Sequence, residues 1–155
     1  MIRPERPPTR PEAPARYAAR AARRLAEVVC PPQVRDGART EAVLDELGLM
    51  LAALPAAARH ALTMALVLLD QGARLYPPGR GRRFARLGDA EAEAYVRALL
   101  NRRGAAAELV LRLVSVITMC YYQLPEVQRE IGYDPAPYIA AVTRRRLERY
   151  AAGAP

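Results

Sequence analysis

The chain has 155 residues, 52% of them apolar, and a formal net charge of +8. That length suffices for one domain with a real core, and that apolar share excludes a wholly disordered protein. Much of the apolar share is alanine, aromatics are only 6% and tryptophan is absent, so the composition favours an all-helical fold.

Residues 1–15, MIRPERPPTRPEAPA, hold five prolines and no apolar periodicity, which predicts a disordered arm. The arm is also where the charge lies. Residues 1–24 carry seven arginines against Glu5 and Glu12, so five of the eight net charges sit there. A basic arm can bind nucleic acid or an anionic surface, and a solvated tail is its plain reading. All 24 basic residues are arginine. With the alanine excess, this points to the coding bias of a GC-rich genome rather than to selection for phosphate binding.

From Arg16 a helical pattern runs to Pro31-Pro32, where proline ends it. A second helix is predicted from Thr40, read as its cap, to Leu54, with Val43, Leu44, Leu47, Leu51 and Leu54 as its apolar stripe. A third runs from Pro55 to about Tyr76 and is apolar nearly all round, so it is expected at the centre of a bundle. His60 in its first turns reads as a packed or surface histidine. The segment YPPGRGRRF is a break; it lacks the GxxxxGK[ST] and GxGxxG patterns that would make a phosphate cradle. A fourth helix follows, with Asp89 as cap and Gly104 as stop. The fifth, about Ala105 to Gln123, is mostly apolar and is expected to build the core with the third. Pro125 ends or kinks it, and a last helix from Pro137 to Tyr150 carries Arg144, Arg145, Arg146 and Arg149. The expected organisation is an all-α bundle of five or six helices over residues 16–150, with the arm at 1–15 and a disordered tail at 151–155.

Catalytic material is sparse. His60 is the sole histidine, there is no CxxC, and no ExxH pair could build a di-iron bundle, so neither a catalytic site nor a metal site is expected. Asp70, Glu108, Glu126 and Glu130 could supply acid or base groups, but helix surfaces ordinarily carry such residues. Cys30 and Cys120 read as buried thiols in a reducing compartment. Arg23-Arg24 is followed by an apolar run too short for a signal peptide, and the best apolar stretch, Leu109–Tyr122, is interrupted by Arg112. The expectation is a soluble, cytoplasmic protein without stable membrane insertion.

The order of features over residues 25–133 carries a resemblance. LAEVVCPP leads into an amphipathic helix pair, then RRFARLGDAEAEAYVRALL is followed by LRLVSVITMCYYQLPEVQREIGY. This resembles the gluconate 2-dehydrogenase subunit 3 family and the similar small helical segment that accompanies GMC-type flavin oxidoreductases. The resemblance implies a non-catalytic accessory subunit of a flavoprotein large subunit acting on an alcohol or sugar hydroxyl. FAD and the chemistry would sit on that partner, with no cofactor on this chain. Family members acting in the periplasm often carry a twin-arginine leader, and the lack of a convincing one here leaves export to a partner with its own signal.

Thr118–Tyr138 holds four of the eight tyrosines and three prolines. Adjacent side chains on a helix point about 100 degrees apart, so of Tyr121 and Tyr122 one can pack inward while the other faces out. Tyrosine joins a large apolar face to a hydroxyl, which suits interfaces, and prolines reduce the ordering cost of docking. The candidate partner interface is therefore Tyr121, Tyr122, Pro125, Tyr133, Pro135 and Tyr138, joined by Arg83 and Phe84 of the RFARL step. The alternative for the tyrosines is that they close the end of the bundle core. The alternative for the whole chain is a basic helical DNA-binding or regulatory module, against which the arginines count by falling in four separate segments.

Overall fold

The computed structural model describes residues 13–35, 37–77 and 81–152. Most of the expected arm and the last three residues lie outside them. The chain is all-α. Seven α-helices are described: α1 (Ala13–Val29), α2 (Ala38–Ala53), α3 (Ala56–Gly72), α4 (Asp89–Leu100), α5 (Ala105–Gln123), α6 (Pro125–Glu130) and α7 (Pro135–Ala152). The 3-10 turns Pro32–Arg35, Ala73–Leu75 and Phe84–Arg86 stand between them. Several expected limits move: Ala13 to Ala15 are helical rather than part of the arm, α3 ends at Gly72 rather than near Tyr76, and α7 starts at Pro135 rather than Pro137 and takes in Ala151 and Ala152. The chain divides into two compact units, Met1–Tyr121 and Tyr122–Pro155.

In the first unit α1 is the hub, packing on α3 most extensively and also on α2, α4 and the Phe84–Arg86 turn. Its buried residues Ala18, Ala21, Ala22, Leu25 and Ala26 recur at helical spacing. Four of the five are alanines, whose single methyl lets neighbouring backbones come close. α3 and α5 therefore do not form the core alone, as expected above. α3 buries Ala65, Leu66, Leu69 and Asp70 but leaves Met64 and Leu68 exposed. α5 buries Val110, Leu113, Ile117, Cys120 and Tyr121 along one face and exposes Leu111 and Met119. By length and composition α5 is also the one described helix able to cross a membrane.

Two expected caps do other work. α2 starts at Ala38, and Thr40, inside its first turn and buried, donates its hydroxyl to the Val34 carbonyl. That bond ties the helix to the preceding 3-10 turn. α4 has Gly88 as N-cap, whose N–H donates to the Glu91 carboxylate at 3.0 Å. Asp89 is the first helical residue and turns to Arg24 instead.

The second unit is α6 and α7 with the turn between them. Gly132 N–H donates to the Arg129 carbonyl at 3.2 Å and Tyr133 N–H to the Gln128 carbonyl at 2.8 Å. This pair of bonds is the Schellman stop, which needs a left-handed residue, and Gly132 supplies it with φ 68°. The glycine between Ile131 and Tyr133 thus has a backbone reason.

Candidate functional site

The second unit buries Leu124 and Val127 but leaves most of its large side chains exposed. Tyr122, Ile131, Tyr133, Tyr138 and Ile139 are all exposed, Tyr138 to 73%. Below them the backbone is held firmly: Gln128 N–H donates to Leu124 O at 3.0 Å, Ile131 N–H to Val127 O at 3.0 Å, and the Gln128 amide reaches Tyr122 O at 3.3 Å. Pro125 occupies the first turn of α6, where its missing N–H costs nothing, and is exposed. Pro135 opens α7 and is half-buried, next to an Asp134 carboxylate that accepts the Ala136 N–H at 3.0 Å. This exposed aromatic and aliphatic set forms the candidate ridge: Tyr122, Ile131 and Tyr133 stand at the hydrogen-bonded α6 turn, and Tyr138 and Ile139 on α7, which is exposed along most of its length.

Of the residues proposed from the sequence, Tyr122, Pro125, Tyr133 and Tyr138 are on this surface and Pro135 borders it. Two are not available to a partner. Tyr121 is buried, facing inward where its neighbour Tyr122 faces out. Phe84 is fully buried, its ring 5.8 Å from that of Tyr95, which in turn lies 5.2 Å from Tyr76. The Tyr95 hydroxyl donates to Leu69 O at 3.2 Å. In this cluster the phenylalanine of RFARL is a core anchor, and the hydrophobic drive to bury the chain's one phenylalanine explains it. Arg83 is half-buried and lines a cavity in the first unit rather than an aromatic ridge.

That cavity escaped the sequence reading. It encloses about 210 Å³ and is lined by Arg20, Arg23, Arg24, Arg83 and Arg86, with Glu27, Asp70 and Ala85. α1 supplies three arginines from its polar face; Arg86 of the Phe84–Arg86 turn and Arg83 just before it supply the other two. Arg24 is fixed by Glu27, Asp89 and the Leu87 carbonyl, each at 2.8 Å. Burial opposes its charge, but those carboxylates outweigh it and hold the guanidinium more firmly protonated than usual. Ile131 and Ile139 also stand exposed on the ridge, which the sequence does not signal because an isoleucine is ordinarily a core residue.

Cys30 and Cys120 are buried and unbridged. Burial pushes both thiols up to about 11, and each is discouraged further by a neighbour: Cys30 by Cys120, Cys120 by Glu46. His60 is exposed. Among the described residues no group of three or more histidine, cysteine or carboxylate side chains could hold a metal ion.

Compared with protein-family models, curated proteins and solved structures, the chain matches none of them. The resemblance described above therefore stands on the quoted residues alone.

Proposed function

We propose that this chain is a non-catalytic accessory subunit that docks on a larger flavoprotein through the Tyr122–Ile139 ridge. The observation that carries this reading is the ordered, exposed set Tyr122, Ile131, Tyr133, Tyr138 and Ile139. Large apolar side chains on a hydrogen-bonded frame lose little entropy on binding, and tyrosine is enriched where partners meet. The partner class comes from the sequence resemblance: a GMC-type oxidoreductase acting on an alcohol or sugar hydroxyl, with FAD on that chain. The chemistry would be the partner's, and this chain would stabilise it.

Co-expression with a GMC-type large subunit tests the reading. The expected result is a yellow complex that survives gel filtration, while the chain alone is colourless and inactive as a dehydrogenase. A flavin spectrum from the chain alone, or no complex with any such flavoprotein, overturns it.

A second reading has one observation in its favour. Arg144, Arg145, Arg146 and Arg149 are all exposed on α7, as a phosphate-contacting helix would have them. A DNA-binding module would show affinity falling steeply with salt. Weak binding with little salt dependence leaves those arginines as a solvated face.

A further inference from the structure

We propose that the arginine-lined cavity of the first unit binds a small phosphoryl oxyanion, an activity separate from the docking surface and independent of it.

The wall is preorganised. α1 presents Arg20, Arg23, Arg24 and Glu27 at i, i+3, i+4 and i+7, one side of the helix above the buried alanine face. Opposite stands the Phe84–Arg86 turn, and it is fixed at several points. Phe84 and Leu87 are buried, the Ala85 N–H donates to Asp70 Oδ1 at 3.0 Å, and the Leu87 carbonyl accepts from Arg24. Arg23 and Arg24 are held by ion pairs, and arginines so held bind an oxyanion without first losing side-chain freedom, whereas Arg20 and Arg86 are exposed.

The charges are unequally used. Arg23 pairs with Glu41, and Arg24 pairs with Glu27 and Asp89. Arg20 and Arg86 have no ion-pair partner among the described residues. Two guanidinium groups without carboxylates are matched by a dianion, and arginine engages phosphate through paired N–H donors. Glu27 and Asp70 oppose an anion, but both already have donors, Arg24 for the first and the Ala85 N–H for the second. The Nε of Arg24 also lacks a hydrogen-bond partner, but it is shut off from solvent and adds no donor to the cavity.

Size narrows the ligand. At about 210 Å³ the cavity falls below the range of about 300–1,000 Å³ that holds drug-sized molecules. It suits inorganic phosphate, pyrophosphate or the phosphoryl end of a larger compound whose remainder stays outside.

Equilibrium dialysis of the full-length protein at constant ionic strength, with labelled pyrophosphate, tests this. The expected result is saturable binding that weakens at least about tenfold in the Arg20→Ala/Arg86→Ala variant, since each lost paired contact to a charged group is worth that much. Both positions are exposed, so helicity should be retained. Arg86→Gln, which keeps most of the bulk, repeats the comparison if the double variant folds poorly. ADP competing more tightly than pyrophosphate would identify the phosphoryl end of a nucleotide as the source, and pyrophosphate binding more tightly would identify the free anion. No saturable binding, equal affinity for succinate, or unchanged affinity in both variants overturns the proposal.

Discussion

Arg24 and Asp89, 65 positions apart in sequence, meet at 2.8 Å and join the middle of α1 to the first residue of α4. The same guanidinium reaches the Leu87 carbonyl at 2.8 Å, so one side chain fixes both the helix start and the turn before it. A carboxylate at a helix N-terminus also suits the macrodipole.

Replacing Arg24 with alanine should therefore destabilise the protein by about 1–3 kcal/mol, the usual range for losing hydrogen bonds to a charged group. Asp89→Ala should cost less than 1 kcal/mol, because that carboxylate is largely exposed and screened. Urea denaturation of the two variants checks the order. Equal losses would mean that the Leu87 and Glu27 bonds contribute nothing.

Gly72 is the last residue of α3, and a Cβ there would meet the Tyr95 hydroxyl at 2.8 Å. Alanine is the better helix former, so propensity alone predicts that Gly72→Ala stabilises. Contact predicts the opposite, because the hydroxyl is held by Leu69 O in the aromatic cluster. We expect a loss of about 1–3 kcal/mol, as for other overpacked sites. Combining it with Tyr95→Phe should cost less than the two single losses added together, since the clashing atom is gone.

Burial raises Cys30 and Cys120 to about 11, and Tyr95 to about 12. Below about pH 9 the thiols are protonated both folded and unfolded, and their contribution to stability is complete. Above it the unfolded chain releases protons that the folded chain keeps, so stability falls as pH rises through 11. Tyr95 extends the loss toward pH 12. Thermal melts from pH 8 to 11 should show this decline, and Cys30→Ala/Cys120→Ala should flatten it while lowering the melt at pH 8. An unchanged slope would place the thiols in contact with water.

The fold class was legible because its signals are local. Prolines at 31–32, 55 and 125 punctuate the chain, and Gly104 and Gly132 stand with positive φ between helices. What was not legible depends on which distant segments meet. The central role of α1 was hidden because alanine adds little to a hydrophobic pattern, although its i, i+3, i+4, i+7 spacing is plain once burial is known. Arginines that look dispersed along the sequence converge, because α1 packs on the turn that carries Arg86 and is preceded by Arg83. Phe84 reads as part of a motif until its ring is seen against Tyr95. Of the tyrosine pair, the sequence could say that the two point apart but not which one is buried.

The docking of the tyrosine ridge on a flavoprotein is tested most directly by the affinity of Tyr133→Ala for a GMC-type large subunit, measured beside the melting of the free subunit. Tyr133 is exposed, and its backbone N–H, which remains in the variant, makes the Schellman bond. We predict a loss of about 2 kcal/mol or more in binding, roughly a thirtyfold weaker complex, with the free subunit melting as before. Undiminished binding, or a free subunit that loses about 3 kcal/mol as when a large aromatic is cut from a core, would contradict the account.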